Sequence, residues 1–385
     1  MGQRIPLAWK QLAFERMKLV AAVAGVMVSV LLMLVQLGIL QSVYHSATAF
    51  HRGVRADLVV ISPLSTNLTG LQPFSTRTLH RALGHAGVER VAEIHSGIVE
   101  FKNPWNGDVR RIACYGLDPL DDLVELEGLA EHRRELLVAD TFLFDRNSKR
   151  SFGPIARTLA ETKRPVRVEV SRREAHAIGT TALGVSFGVD GNLVTDRANF
   201  LRLLPNRDPH LIELGLIRLK PGSDPTQVRD DLAALFGSQV EILTLPQFID
   251  WEIAYWNRNA PVGFVFTMGT IVGFFIGFIV VYQILFTEVT NHLPQFATMK
   301  AMGFGDPFLL GIVMRQGLIL ALLGFFPGLL LAIVVYGVMR YVTQIPIEMT
   351  TARAVGIFVL TLLMCLLSGA VTVRKLRDAD PADVF

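Results

Sequence analysis

The 385-residue chain is 51% hydrophobic with a mean hydropathy of +0.41, and its charged residues (18%) cluster outside four long apolar runs, which excludes an ordinary soluble domain. A net charge of +3 without a basic stripe interleaved with aromatics excludes a nucleic-acid partner. Cys114 lies in a polar stretch and Cys365 in an apolar run, so no disulfide framework is expected.

In chain order, residues 1–18 read as an amphipathic interfacial helix from Pro6, with Trp9 and Lys10, Arg16 and Lys18 as anchors; a plain positive flank is the simpler alternative. Leu19–Tyr44 carries no charge and, at ~1.5 Å per residue, makes a helix long enough to cross a bilayer. It is too long for a removable signal peptide and lacks a small-residue cleavage site. The other runs, Val262–Phe286, Phe308–Val342 and Ala354–Val373, give transmembrane segments at 261–286, 308–342 and 354–373. Arg4, Lys10, Arg16 and Lys18 precede the first span, Lys300 follows the second, and Arg374, Lys375 and Arg377 open a tail at 374–385. Positive flanks belong in the cytoplasm, so both termini are expected inside and residues 45–260 outside.

The fold class expected is therefore an α-helical membrane protein of four transmembrane helices, with a large extracytoplasmic α+β domain between helices 1 and 2. Within 45–260, Asp57–Ser62 reads as a strand, Ser75–Leu83 as a helix capped by Ser75, and Val88–Phe101 as a strand. Leu214–Leu219, Thr226–Phe236 and Val240–Leu243 repeat the strand–helix–strand order. Together, 45–105 and 206–245 predict a ferredoxin-like lobe, with a second lobe, 106–205, inserted into it and one helix-like segment near Ala139–Arg146. Pro246–Asn259 predicts a stalk helix (246–260) that leads into the second span, with a break at Pro261 and Trp251, Tyr255 and Trp256 at the membrane interface.

No nucleophile motif, P-loop, HExxH or spaced Cys/His set occurs, so neither catalytic residues nor a metal site is expected. Asp121, Asp122 and Glu125 lack the glycine-turned loop of a calcium site and read as solvated surface. Asn67-Leu68-Thr69 fits a glycosylation acceptor, a pattern common by chance.

The segment between spans two and three, TEVTNHLPQFATMKAMGFGDP (287–307), is too polar for lipid and too short for a domain. It predicts a brief helix over Pro294–Met302 ended by Gly303, with Phe296, Met299 and Lys300 on one face. Lys300-Ala301-Met302-Gly303 resembles the close of the cytoplasmic coupling helix in the MacB/FtsX superfamily of ABC transporter permeases. The four-span plan with an external domain after span one is also theirs. The closer resemblance is to the DevC family of tripartite exporters. It is carried by PLAWKQL (6–12), PFSTRTLHRALG (73–84), LFDRNSKRSFGP (143–154), DGNLVTDRANFLRLLP (190–205), IELGLIRLKPGSD (212–224), VYQILFTEVTNHLPQFATMKAMG (281–303) and RKLRDADPADVF (374–385). Gln295 departs from the family, standing where an acidic residue is usual.

The resemblance implies an inner-membrane permease subunit working as a homodimer with two copies of an ABC ATPase, a periplasmic adaptor and an outer-membrane channel. ATP and Mg would then be bound by the ATPase and no cofactor by this chain, which would not itself be an enzyme; the cargo would be a glycolipid or other amphiphile. ATPase coupling falls on His292, Leu293, Phe296, Ala297, Met299, Lys300, Ala301, Met302 and Gly303. A lipoprotein-releasing permease, and an FtsX-like transmitter that activates a cell-wall hydrolase, are the alternatives. In span three, Gly324 and Gly328 form a small-xxx-small face around Pro327, and Arg315 is expected to snorkel toward the membrane surface.

Overall fold

The computed structural model describes residues 16–186, 188–295, 298, 302–303, 306–343 and 347–377. Residues 1–15 of the interfacial helix expected over 1–18, and the tail beyond 377, lie outside the described residues. The chain divides into two compact units, one of spanning helices (1–41, 262–342 and 347–385) and one comprising 42–261 with 343–346.

Helix α1 (Arg16–Ala47) enters the α+β unit at its last turns and is followed by α2 (Ala49–Gly53). Strand β1 (Leu58–Ile61) is buried along its whole length, because it is covered on both faces. Then come β2 (Phe74–Ser75), α3 (Thr76–Arg81) and β3 (Val88–Lys102). Ser75 starts α3 by accepting a hydrogen bond from the Arg77 amide. On the far side of the insert, β9 (Leu211–Ile212) pairs with β2, while β10 (Leu214–Leu219), α6 (Pro225–Phe236) and β11 (Glu241–Thr244) complete the lobe. The order β11-β1-β10-β3, antiparallel throughout, is the sheet of a split βαββαβ unit. Leu58 and Val60 point to the layer of α3 and α6, against Leu79, Val228 and Leu232. Val59 and Ile61 point the other way, into a core shared with Phe248 of α7 (Leu245–Asn259).

The inserted segment builds β4 (Val109–Leu117), β5 (Thr141–Asp145), α4 (Ile155–Thr162), β6 (Val166–Val170), β7 (Arg173–Thr181), β8 (Asn192–Asp196) and α5 (Arg197–Leu203). The strands run β3-β4-β8-β5-β7-β6, and β6 returns to β3 through Phe101↔Val170 and Lys102↔Glu169, closing a six-stranded barrel. Phe101, Phe142, Phe144 and Phe152 fill its interior. Ser171 and Arg172, at φ 49° and 62°, make the left-handed two-residue turn that joins β6 to β7. The fifteen residues of β3 serve both lobes: 88–94 pair with β10 and 95–102 with β4. The lobes therefore share a strand instead of meeting at a boundary near 105.

The Ala139–Arg146 segment corrects the sequence expectation, since Thr141–Asp145 is strand β5 and no helix forms there. All five residues are buried, between β7 on one side and β8 on the other, so their apolar run shows neither helical nor alternating period. Helix α7 is likewise no free-standing stalk. A Thr244–Gln247 capping box starts it, and Phe248 and Glu252 are buried in the α+β unit.

The spanning unit contains the first part of α1 with α8 (Val262–Asn291), α9 (Asp306–Thr343) and α10 (Thr351–Arg377), four helices long and apolar enough to cross a membrane among the described residues. Ala22, Val26, Val30, Met33 and Leu34 recur at helical spacing and bury the inner stripe of α1. Arg315 is exposed while its neighbour Gln316 is buried.

Candidate functional site

In the last turn of α8, Glu288 is buried, and its carboxylate lies 3.2 Å from His292 Nε2 one turn on. The His292 amide donates to the Glu288 carbonyl at 3.2 Å and the Gln295 amide to the His292 carbonyl at 3.0 Å, so the chain keeps turning past Asn291. Thr298 Oγ1 donates to the Pro294 carbonyl and the Met302 amide to the Thr298 carbonyl, bonds of a helical turn. Gly303 then takes φ +93°, the left-handed stop that glycine provides at a helix end. Of the nine residues assigned to ATPase coupling, His292 and Leu293 are half-buried and Met302 and Gly303 exposed. Phe296, Ala297, Met299, Lys300 and Ala301 lie outside the described residues.

The spans meet through glycine. A Cβ added at Gly324 would fall 2.4 Å from Val26 Cγ1, and one at Gly328 2.9 Å from Val30 Cγ1 and 3.0 Å from the Met27 carbonyl. Helix α9 thus seats these two glycines directly on α1. Gly269, Gly273 and Gly277 of α8 repeat this at four-residue spacing, against Gln36, Met33 and Ser29 of α1.

A polar cluster that sequence reading missed joins α1, α9 and α10. Tyr336 is buried over Gly38 and donates its phenol to the Leu34 carbonyl. Arg353 donates to Tyr336 Oη at 3.1 Å, to the Glu348 carbonyl at 2.9 Å and to Gln41 Oε1. Arg340 reaches the Ile347 carbonyl at 3.1 Å.

Within the α+β unit, Asp122 pairs with Arg90 and Arg218, and Glu125 with Arg55, so these acidic residues face arginine partners. Asn67 is buried and donates to Thr69 Oγ1, a poor posture for a glycosylation acceptor. Asp145 is enclosed, accepting from Asn192 Nδ2 and the Leu183 and Gly184 amides; burial raises its carboxyl's pKa against the pull of those bonds. Glu252 is a further buried carboxylate, missed because it reads as one charge on an amphipathic helix.

The arrangement holds spans at close range, ends α8 in a compact polar turn, and carries no described cluster of ligands for a metal. Residues 267–381 match the model of the FtsX-like permease C-terminal domain. No curated protein sequence matches the chain. Among solved structures, the periplasmic region of MacB from Actinobacillus actinomycetemcomitans is similar at 12% identity and TM-score 0.35, covering 51% of this chain and 92% of that one. The extracellular domain of the noncanonic ABC-type transporter YknZ from Gram-positive bacteria is similar at 10% identity and TM-score 0.31, covering 49% of this chain and 100% of that one. At such scores these likenesses carry no argument of their own.

Proposed function

We propose that this chain, an ABC-type membrane permease of the MacB/FtsX kind, is the membrane subunit of an exporter that turns ATPase motion into movement of its α+β domain. The observation that carries the reading is the match over 267–381, which takes in α9, α10 and the 287–303 turn. An ABC ATPase is the partner this family requires. In the proposed assembly two ATPases, each holding ATP and Mg, dock on the 292–303 turn of two copies of this chain, in the inner membrane with termini in the cytoplasm. Nucleotide-driven closure moves that turn and with it α8. Through Ala260 and Pro261 the displacement reaches α7, which the α+β domain holds by Phe248 and Glu252. The domain, on the periplasmic side, expels an amphiphilic cargo into an adaptor and outer-membrane channel.

The reading is tested by purifying the full chain from its own membranes and identifying what accompanies it. Co-purification of an ABC ATPase and a periplasmic adaptor is expected. An ATPase accompanied by a cell-wall hydrolase would overturn export in favour of signal transmission.

A further inference from the structure

Glu252 sits where α7 meets the turn Leu68–Gly70, and it is 2% exposed. Its Oε2 accepts from the Leu68 amide at 2.7 Å and its Oε1 from Trp256 Nε1 at 2.8 Å. Among the described residues no cation pairs with it; burial, opposed by these two hydrogen bonds, holds its pKa up to about 7. The carboxylate borders a cavity of about 20 Å³, room for roughly one water, walled by Ser46, Phe50, Leu68, Tyr115 and Trp256. Ser46 Oγ, on the same wall, is buried without a hydrogen-bond partner.

The neighbouring titratable groups do not compensate its charge. From α2, His51 is held neutral by burial, its pKa lowered to about 3, and Arg52 is bonded to the His45 carbonyl and Thr48. From β4, the Tyr115 phenol is kept protonated by burial and then by the Glu252 charge. From β5, Asp145 is satisfied by Asn192 and the Leu183 and Gly184 amides. The 65–71 turn and the 183–189 loop contribute no titratable side chain, and Asp250 and Arg258 on α7 itself are exposed.

We propose that Glu252 is a proton-binding site that sets how firmly α7 is tied to the 68–70 turn, making the helix that leads to the second span responsive to pH on the domain's side of the membrane. Both present partners are N–H donors. Ionised, the carboxylate accepts from both. On taking one proton from water it becomes a neutral O–H donor that neither partner can accept. That proton must turn into the cavity, toward a water or Ser46 Oγ, so the neutral acid is accommodated there while the ionised form leaves a buried charge that no cation compensates among the described residues. Burial outweighs the two bonds in favour of the neutral acid, so the docked joint takes up the proton more readily than a loosened, hydrated one would: it is firm below the transition and loosens as pH rises through it. Its consequence for ATP turnover rests on the function proposed above; the proton site does not.

The test uses the full chain in lipid nanodiscs with Trp9→Phe and Trp105→Phe, so that emission comes from Trp251 and Trp256. A fluorescence titration should show a transition centred near 7 that is lost in Glu252→Gln. Trp256→Phe, read through Trp251, removes a donor that favours the charged form and should raise the midpoint, which keeps the test open if Glu252→Gln does not fold. A missing transition, one centred near 4.5, or one unchanged in Glu252→Gln overturns the site. In complex with the ATPase, wild-type turnover should change by about twofold or more across the transition while Glu252→Gln stays at its acid value. Turnover that ignores pH while the fluorescence follows it would overturn the joint's regulatory role. An absent ATPase partner would instead count against the exporter reading and leave the titration to decide the site.

Discussion

Gly324 lies so close to Val26 that a side chain there would enter the van der Waals envelope of the valine, and Gly328 stands in the same relation to Val30. Helix α9 therefore packs on α1 backbone to side chain, with no room between them. Gly324→Leu should cost roughly 2 kcal/mol or more through overpacking and lower the unfolding temperature in detergent. Gly337, on the same helix with nothing within 4 Å, is the control. Equal losses for the Gly324 and Gly337 leucine variants would mean that the glycine seat contributes no stability.

Tyr336→Phe removes the phenol that donates to Leu34 and accepts from Arg353. It should cost about 1 kcal/mol, and Arg353→Met more, because Gln41 and the Glu348 carbonyl also lose their donor. The double variant should cost less than the sum of the two singles, since both act on one network. Unfolding midpoints of the four proteins provide the check; strict additivity would separate Tyr336 from Arg353 energetically.

The His51 ring packs at a tilt against Phe248, centroids 4.2 Å apart, with both ring nitrogens unpartnered among the described residues. Burial, then Arg52, lowers its pKa from 6.5 to about 3. The unfolded chain binds this proton first, so His51's contribution is present above pH 6.5 and lost as pH falls toward 3, at most on the order of 5 kcal/mol. Glu252 has the opposite sign: its raised pKa contributes stability below 4.5 that is lost as pH rises through about 7. His51→Phe should flatten the acid limb of a stability–pH curve, and Glu252→Gln the neutral limb. Variants with the slope of the native protein would show that these groups do not govern it.

The expected orientation is tested by single cysteines at Thr226 and Thr290, both exposed, in a chain whose own Cys114 and Cys365 are buried. A membrane-impermeant thiol reagent added to intact spheroplasts should label Thr226→Cys and spare Thr290→Cys. Labelling of Thr290→Cys alone would invert the topology.

The spans and the split lobe were legible because each has its own period. Long charge-free runs mark α1, α8, α9 and α10, and capped helices between short strands mark α3 and α6. The barrel was not. In β5 and β8 every residue is buried, so TFLFD and NLVTD alternate nothing, and closure depends on β6 returning to β3, a pairing no local pattern encodes. The Arg353–Tyr336–Gln41 cluster escaped for a related reason: its three members come from three helices, and Gln41 and Arg353 are more than three hundred positions apart.

The closed barrel also constrains the order in which the chain can assemble. Strand β1 must find β10 across the whole inserted segment, Leu58 opposite Ile217, and closing so long a flexible loop is entropically unfavourable. Once β3 through β8 are knit together, the same two strands are separated by a compact body with its ends already near one another. The barrel should act as the folding template of the lobe that encloses it. Pulse-labelled amides of β4 and β7 are then expected to gain protection before those of β1 and β11, and the reverse order would place the nucleus in the outer lobe.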